Sequence, residues 1–187
     1  AKESMEAIET MIERGVNLID TAPFYGLGES EKIVGEVIRD KRDDIVLLTK
    51  AGTGWNEKGV PFKRSDYKSI LKDCEESLQR LKTDYIDLYL IHWPDEVTPI
   101  EEMMDAMNKL KQDGKIRFIG ASNFSKEEVL ESEKYVSFDV LQHPYSMVAQ
   151  DFRELLTWAH KNNIGTMSYG SLGAGILTGS IREMPKL

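Results

Sequence analysis

The chain has little of what secreted, membrane and nucleic-acid-binding proteins need. It holds a single cysteine, Cys74, so an internal disulfide is impossible. No apolar run approaches the roughly 20 residues of a membrane helix, and the opening AKESMEAIET lacks the basic and apolar segments of a signal peptide. The net charge is -8, and basic residues alternate with acidic ones, so no basic face is available for nucleic acid. These absences predict a cytoplasmic protein whose partners include neither a membrane nor nucleic acid.

The remaining composition is typical of one globular domain. The 187 residues are 41% hydrophobic and 30% charged, which predicts a single folded domain over residues 1–187. Cys74 lies among leucines at helical spacing, so we expect a buried structural thiol. His143 and His160 have no partner at the spacing of metal ligands. No metal site is predicted.

Helical patterns alternate with short apolar runs along the whole chain. Helices are predicted over residues 4–14, 29–39, 65–82, 99–113, 126–135 and 152–162, and strands over 16–22, 44–51, 85–93, 116–123, 140–145 and 165–170. Two pairs of residues predict capping boxes, Thr98 with Glu101 and Ser125 with Glu128. Strict alternation with nearly continuous apolar strands, the first expected to be fully buried, predicts an α/β protein with a parallel sheet.

Each of the six predicted strands ends close to a polar residue that can bind or react. These residues are Asp20, Lys50, His92, Asn123, Gln142 and Tyr169. Because parallel strands end at one edge, we expect a ligand site there, and the even contribution of every strand favours a (β/α)8 barrel over a doubly wound sheet. An eight-stranded barrel takes about 250 residues. The predicted barrel is therefore incomplete, with its first and last segments missing.

Six motifs in order carry a family resemblance. They read DTAPFYG, LLTKAG, YLIHWPD, KQDGKIRFIGASNF, LQHPYS and SYGSLGAGILTG. Together they cover nearly the whole chain and resemble the aldo-keto reductases, (β/α)8 barrel oxidoreductases with a nicotinamide cofactor. The resemblance implies NAD(P)H-dependent reduction of an aldehyde or ketone to the alcohol. It assigns Tyr25 as general acid, Lys50 and Asp20 as residues that tune Tyr25, and His92 as the residue that positions the carbonyl.

The chemistry of these side chains supports the same roles. Hydride transfer to a carbonyl develops negative charge on oxygen, so a proton donor has to face that oxygen. Tyr25 can supply the proton, and a nearby ammonium lowers the pKa of a tyrosine by stabilising its phenolate. Lys50 provides that ammonium, and the carboxylate of Asp20 opposes the loss of its proton on burial.

The resemblance also implies how the cofactor binds. Ser122, Asn123 and Gln142 would hydrogen-bond the nicotinamide carboxamide, Tyr169 would stack on the ring, and a glycine-rich segment would approach the pyrophosphate through Gly170, Ser171, Leu172 and Gly175. That segment departs from the usual Tyr-Ser-Pro-Leu of the family, and Ser180 replaces a common lysine. NADP(H) is expected, with NAD(H) left open.

Three aromatic side chains, Phe24, Trp55 and Trp93, are expected to line the pocket for a small carbonyl substrate. Two alternatives to a reductase remain. One is a lyase that forms a Schiff base at Lys50, and the other is a cofactor-binding regulatory subunit with little turnover. The sequence predicts neither the physiological substrate nor the oligomeric state.

Overall fold

The structure is a computed structural model that describes residues 2–181. The helices are α1 (Lys2–Glu13), α2 (Glu29–Ile38), α3 (Tyr67–Leu81), α4 (Ile100–Gln112), α5 (Lys126–Ser132) and α6 (Arg153–Lys161). The strands are β1 (Leu18–Asp20), β2 (Val46–Ala51), β3 (Thr53–Trp55), β4 (Pro61–Lys63), β5 (Ile86–Ile91), β6 (Ile116–Ser122), β7 (Val140–Pro144) and β8 (Gly165–Tyr169). Two 3₁₀ segments cover Arg39–Asp44 and Gly173–Thr178. Residues up to Phe138 form one compact unit, and those from Asp139 onward form a second.

In the first unit, β1, β2, β5 and β6 form a parallel sheet in that order. Asp20 pairs with Leu48 and Lys50 pairs with Leu90, so the register places the carboxyl ends of these strands at one edge. Helices connect successive strands, as parallel pairing requires. The predicted parallel α/β arrangement is confirmed within this unit.

The core of the first unit lies between these strands and the helices. A cluster of Val34, Ile38, Ile45, Leu47 and Leu81 joins α2 and α3 to β2. Burying each such side chain contributes roughly 1.5–3 kcal/mol. Cys74 on α3 is fully buried, and burial raises the pKa of its thiol to about 12. The prediction of a structural thiol is confirmed.

The first strand was expected to be fully buried, and this expectation is wrong. Leu18 is 37% exposed, and Ile19 is only partly buried. In the first unit β1 is the edge strand, so only β2 pairs with it there. The apolar run thus indicated a strand, but it did not show how many neighbouring strands would pair with it.

One of the two predicted capping boxes forms. The side chain of Ser125 accepts a bond from the N–H of Glu128, whose carboxylate accepts from the N–H of Ser125. The box predicted for Thr98 is wrong because α4 begins at Ile100 and has no side-chain cap. The hydroxyl of Thr98 instead donates to Asp95 Oδ2 at 2.9 Å.

A short hairpin between β2 and α3 has no counterpart in the prediction. Strands β3 and β4 are antiparallel, with Thr53 opposite Lys63 and Gly54 opposite Phe62. Asn56 closes the connection because its Oδ1 accepts the N–H groups of Lys58 and Val60. Strands β3 and β4 have three residues each and contain Gly54 and Pro61. They are too short to show the alternation of apolar and polar residues that predicts a hairpin.

The second unit is also α/β. Strands β7 and β8 are parallel, with Gln142 opposite Met167 and Pro144 opposite Tyr169. Helix α6 connects them and buries Leu155 and Ala159. Within residues 2–181, no helix is long and apolar enough to span a membrane.

Candidate active site

Lys50 is a buried charged group of the candidate site. It lies near the end of β2 with its side chain 1% exposed. Its ammonium contacts the carboxylate of Asp20 and donates to the carbonyl of Thr21 at 3.0 Å. Burial lowers the pKa of Lys50, and the charge of Asp20 opposes that change. The two groups predicted to interact are in direct contact.

A second carboxylate, that of Glu31, interacts electrostatically with Lys50. Glu31 on α2 is fully buried, accepts a bond from Thr49 Oγ1 at 2.6 Å, and accepts another from Arg80 Nε at 2.6 Å. Its charge also raises the pKa of Lys50. Nothing in the sequence pattern marks Glu31 as buried, because glutamates of surface helices are normally solvated.

Tyr25 lies in the loop after β1 and is 41% exposed. The centre of its ring is 5.1 Å from the Nζ atom of Lys50. The ring also meets the imidazole of His92 edge to face, with 6.0 Å between ring centres and an interplanar angle of 89°. Tyr25 is therefore held between an ammonium and an imidazole while part of it stays open to ligands.

His92 follows β5 and is half-buried. Its backbone N–H donates to the carbonyl of Ala51 at 2.8 Å, and its Nδ1 lies 3.2 Å from Thr53 Oγ1. Burial and then the charge of Lys50 lower the pKa of His92 to about 4, whereas the charge of Asp20 raises it. The imidazole is therefore neutral at pH 7.

A cavity of about 460 Å³ opens beside Tyr25 and His92. Phe24 and Trp93 line it, as predicted for a substrate pocket. Trp55 lies on β3 and lines a separate cavity of about 220 Å³. The wall also includes residues of the hairpin that sequence reasoning missed, namely Thr53, Pro61, Phe62 and Lys63.

Ser122 and Asn123 lie at the end of β6 in the same unit. Ser122 is buried. Asn123 has a left-handed backbone, with φ at 63°, a conformation that asparagine tolerates. Its Nδ2 donates to the carbonyl of His92 at 2.9 Å and to Ser122 Oγ at 3.0 Å. This side chain links the end of β6 to the end of β5.

In the second unit, Gln142 and Tyr169 differ in exposure. Gln142 is buried at 4% exposure and lies in the middle of β7. Tyr169 ends β8 and is 39% exposed, and burial raises its pKa. An exposed aromatic face at a strand end suits stacking on a flat ring.

The glycine-rich segment follows β8. Gly170, Gly173 and Gly175 have φ values of 64°, 58° and 97°, in the left-handed region that favours glycine. The N–H of Gly173 donates to the carbonyl of Gly170 at 2.8 Å, and that of Gly175 donates to the carbonyl of Leu172 at 3.2 Å. Ser171 and Leu172 are exposed. The N–H of Gly175 is therefore engaged within the segment.

Known proteins are similar to this chain in sequence and in fold. The chain matches the Aldo/keto reductase family over residues 1–187. It is 43% identical over 97% of its length to the aldo-keto reductase YhdN of Bacillus subtilis, covering 56% of that protein. It is 41% identical over 93% of its length to the NADH-specific methylglyoxal reductase of Escherichia coli, covering 59% of it.

The structure of the glycerol dehydrogenase from Gluconobacter oxydans superposes with a TM-score of 0.90, at 38% identity. The match covers 98% of this chain and 57% of that one. The chain thus spans a little over half the length of the relatives it matches. The likeness in fold confirms the predicted barrel class for the part of the chain described. The chain belongs to the aldo/keto reductase family.

Proposed function

We propose that the protein reduces an aldehyde or ketone to the alcohol with a nicotinamide cofactor. The observation that carries this proposal is the set of contacts among Asp20, Lys50, Tyr25 and His92. Of these four residues, Tyr25 and His92 line the cavity of about 460 Å³. The cofactor, when bound, supplies the hydride. The protein must then orient the carbonyl and deliver a proton to its oxygen.

Tyr25 is the proposed proton donor. The ammonium of Lys50 lies 5.1 Å from its ring centre and stabilises the phenolate left after proton transfer. Asp20 and Glu31 in turn favour the protonated form of Lys50 despite its burial. The charge on Lys50 is thus maintained by two carboxylates from different elements.

His92 is the proposed orienting group. A neutral imidazole carries one N–H and one acceptor nitrogen. When the hydroxyl of Thr53 donates to Nδ1, the proton resides on Nε2, which can then donate a bond to the substrate carbonyl. The pKa of about 4 keeps the imidazole of His92 neutral across the physiological range.

Each unit contains residues that we propose to bind the cofactor. Ser122 and Asn123 in the first unit and Gln142 and Tyr169 in the second offer the hydroxyl, amide and aromatic groups that suit a nicotinamide. Gly170, Ser171, Leu172 and Gly175 are the proposed neighbours of the pyrophosphate. NADP(H) is favoured because Klebsiella pneumoniae relatives at 30–31% identity were solved with NADP or NADPH. NAD(H) stays open because the Escherichia coli relative is NADH-specific by name.

The two alternatives gain no support. A Schiff-base lyase needs an uncharged amine, and the Nζ of Lys50 is held by the carboxylate of Asp20 and the carbonyl of Thr21. No observation favours a regulatory subunit over an enzyme. The cytoplasmic location stays a prediction of the sequence.

Tyr25→Phe in the full-length protein tests the proposal. The change removes one hydroxyl and keeps the ring contacts with Lys50 and His92, so we expect cofactor affinity within about twofold of wild type. General acids contribute roughly 10²–10⁴-fold, and we expect kcat for an aldehyde to fall by about that factor. Cofactor fluorescence titration and NADPH consumption measure the two quantities.

Tyr67→Phe on α3, outside the cavity, is the matched control and should retain wild-type activity. Unchanged turnover in Tyr25→Phe would mean that another group donates the proton. A wild-type protein that binds NADPH and oxidises it with no member of a broad aldehyde panel would favour the regulatory alternative.

A further inference from the structure

Lys63 brings a positive charge to the cavity beside Tyr25 and His92. It ends β4 and lies opposite Thr53 in the antiparallel hairpin. Directly opposed residues in such a pair present their side chains on the same face, with Cβ atoms about 4.5–5.5 Å apart. Thr53 Oγ1 in turn lies 3.2 Å from His92 Nδ1. Thr53 therefore connects Lys63 to His92.

The charge of Lys63 is available to a ligand. Its Nζ lies 5.1 Å from the ring centre of Trp93, which lines the same cavity. Among residues 2–181 no carboxylate forms an ion pair with Lys63, and none lines this cavity. The next residue, Arg64, differs because its guanidinium is paired with Asp73 at 2.7 Å.

The rest of the cavity wall is mostly apolar. Phe24, Phe62 and Trp93 present aromatic surface, and Pro61 adds a further apolar side chain. A volume of about 460 Å³ lies within the 300–1,000 Å³ of sites for small ligands. Such a cavity fits a molecule with an apolar body, a carbonyl at one end and a negative charge at the other.

We propose that Lys63 selects carbonyl substrates that carry a carboxylate. The carboxylate binds the ammonium of Lys63, the apolar body packs against the aromatic wall, and the carbonyl faces Tyr25 and His92. This inference rests on the proposed reductase function and adds the substrate class. A phosphate of the cofactor is the other anion that could reach Lys63, and the experiment separates the two.

The test compares two aldehydes of nearly equal shape, 4-formylbenzoate and its methyl ester, in the full-length protein. We measure kcat/KM for each and take the acid-to-ester ratio. Lys63→Met keeps the length of the side chain and removes its charge, so we expect the ratio to fall by about two- to fivefold, the upper part of the range for an exposed ion pair. The loss should appear mainly in KM for the acid, and kcat/KM for the ester should change less than kcat/KM for the acid.

Lys58→Met is the matched control, because Lys58 lies in the connection of the same hairpin and does not line the cavity. Its acid-to-ester ratio should equal that of wild type. Raising the ionic strength to about 1 M shortens the screening length to about 3 Å. We expect this to lower the ratio in wild type and to leave it unchanged in Lys63→Met.

Each contrary outcome has a separate meaning. Normal reduction of the ester with an unchanged ratio in Lys63→Met overturns the role of Lys63 and leaves the reductase proposal intact. Weaker NADPH binding in Lys63→Met with an unchanged ratio assigns the charge to the cofactor, which also overturns the inference. Failure of wild type to reduce these two aldehydes or any member of the broad aldehyde panel with NADPH or NADH refutes the proposed function, and the inference with it.

Discussion

Asp20→Asn should destabilise the protein by leaving the charge of Lys50 poorly compensated. The substitution keeps the size of the side chain and removes its charge. Lys50 is 1% exposed and would retain the carbonyl of Thr21 and the more remote charge of Glu31. Burial already lowers the pKa of Lys50, and loss of the main opposing charge lowers it further.

The expected magnitude follows from the contact. Two unit charges about 4 Å apart interact by about 4 kcal/mol at an effective dielectric constant of 20. Solvent reaches the side chain of Asp20, which is 31% exposed, so we discount this energy to about 2 kcal/mol. Loss of that interaction lowers the folded-state pKa of Lys50 further below its ordinary value.

The sign of the pH dependence is set by proton binding. The folded pKa of Lys50 is below its unfolded value of about 10.4, so between the two the unfolded chain binds more protons and stability rises with pH. The deficit of Asp20→Asn is complete below the folded pKa of the variant. It shrinks as the pH rises and is gone above the folded pKa of the wild type.

Urea unfolding of the full-length protein at pH 7 and at about pH 10, near the unfolded pKa of lysine, measures this deficit. Asp84→Asn is the control, because Asp84 is exposed and outside the site. It should change the free energy of unfolding by less than about 0.5 kcal/mol at both pH values. An equal deficit for Asp20→Asn at both pH values would show that shape or hydrogen bonding, and not charge, is lost. No deficit at pH 7 would refute the electrostatic role of Asp20.

The remaining predictions concern two titratable groups, the half-buried His92 and the fully buried Cys74. The imidazole of His92 should titrate near pH 4 by NMR, and Lys50→Met should raise that midpoint because the charge of Lys50 lowers the pKa; a midpoint near the unperturbed value of about 6.5 would contradict the burial of His92. Since its folded pKa is depressed, His92 should also cost stability as the pH falls from about 6.5 toward 4. Cys74 should resist thiol reagents until denaturant is added, because its pKa is about 12 and it is fully buried; rapid modification of the folded protein would disprove this.

The sequence was sufficient for the parts of the site that depend on local pattern. Asp20, Lys50 and His92 each follow or end an apolar run, and parallel strands bring their carboxyl ends to one edge. The register then places the three side chains near one another without any further information. Tyr25 is held near them by the short loop after β1.

The parts that the sequence could not show depend on distant partners. Glu31 is buried because Arg80, 49 residues later in the chain, neutralises it and because Thr49 donates to it. In the sequence it is one of several glutamates on an amphipathic helix. The hairpin depends on a cross-strand contact, in which Phe62 packs over Gly54. A Cβ added at Gly54 would lie 2.8 Å from the Phe62 ring.

Gly52 explains why the hairpin belongs to the site. It follows β2 with φ at 88°, and a Cβ there would lie 2.8 Å from Ser65 Oγ and 3.2 Å from the carbonyl oxygen of Trp93. Only glycine allows this close turn, which places Thr53 next to His92. Strand β3, the near strand of the hairpin, thus contacts His92 directly through Thr53. Strand β4, the far strand, lines the cavity beside Tyr25 and His92.

This arrangement separates the residues proposed for catalysis from those proposed to select the substrate. Asp20 and Lys50 are fixed by the sheet, with Lys50 buried, so their contact does not depend on residues 61–63. Phe62 and Lys63 are exposed on the far strand and face the cavity. Substitutions on that strand should therefore change KM and the preferred substrate while the contact of Lys50 with Asp20 stays intact. Proteins that share the four proposed catalytic residues can then differ in substrate through a three-residue strand.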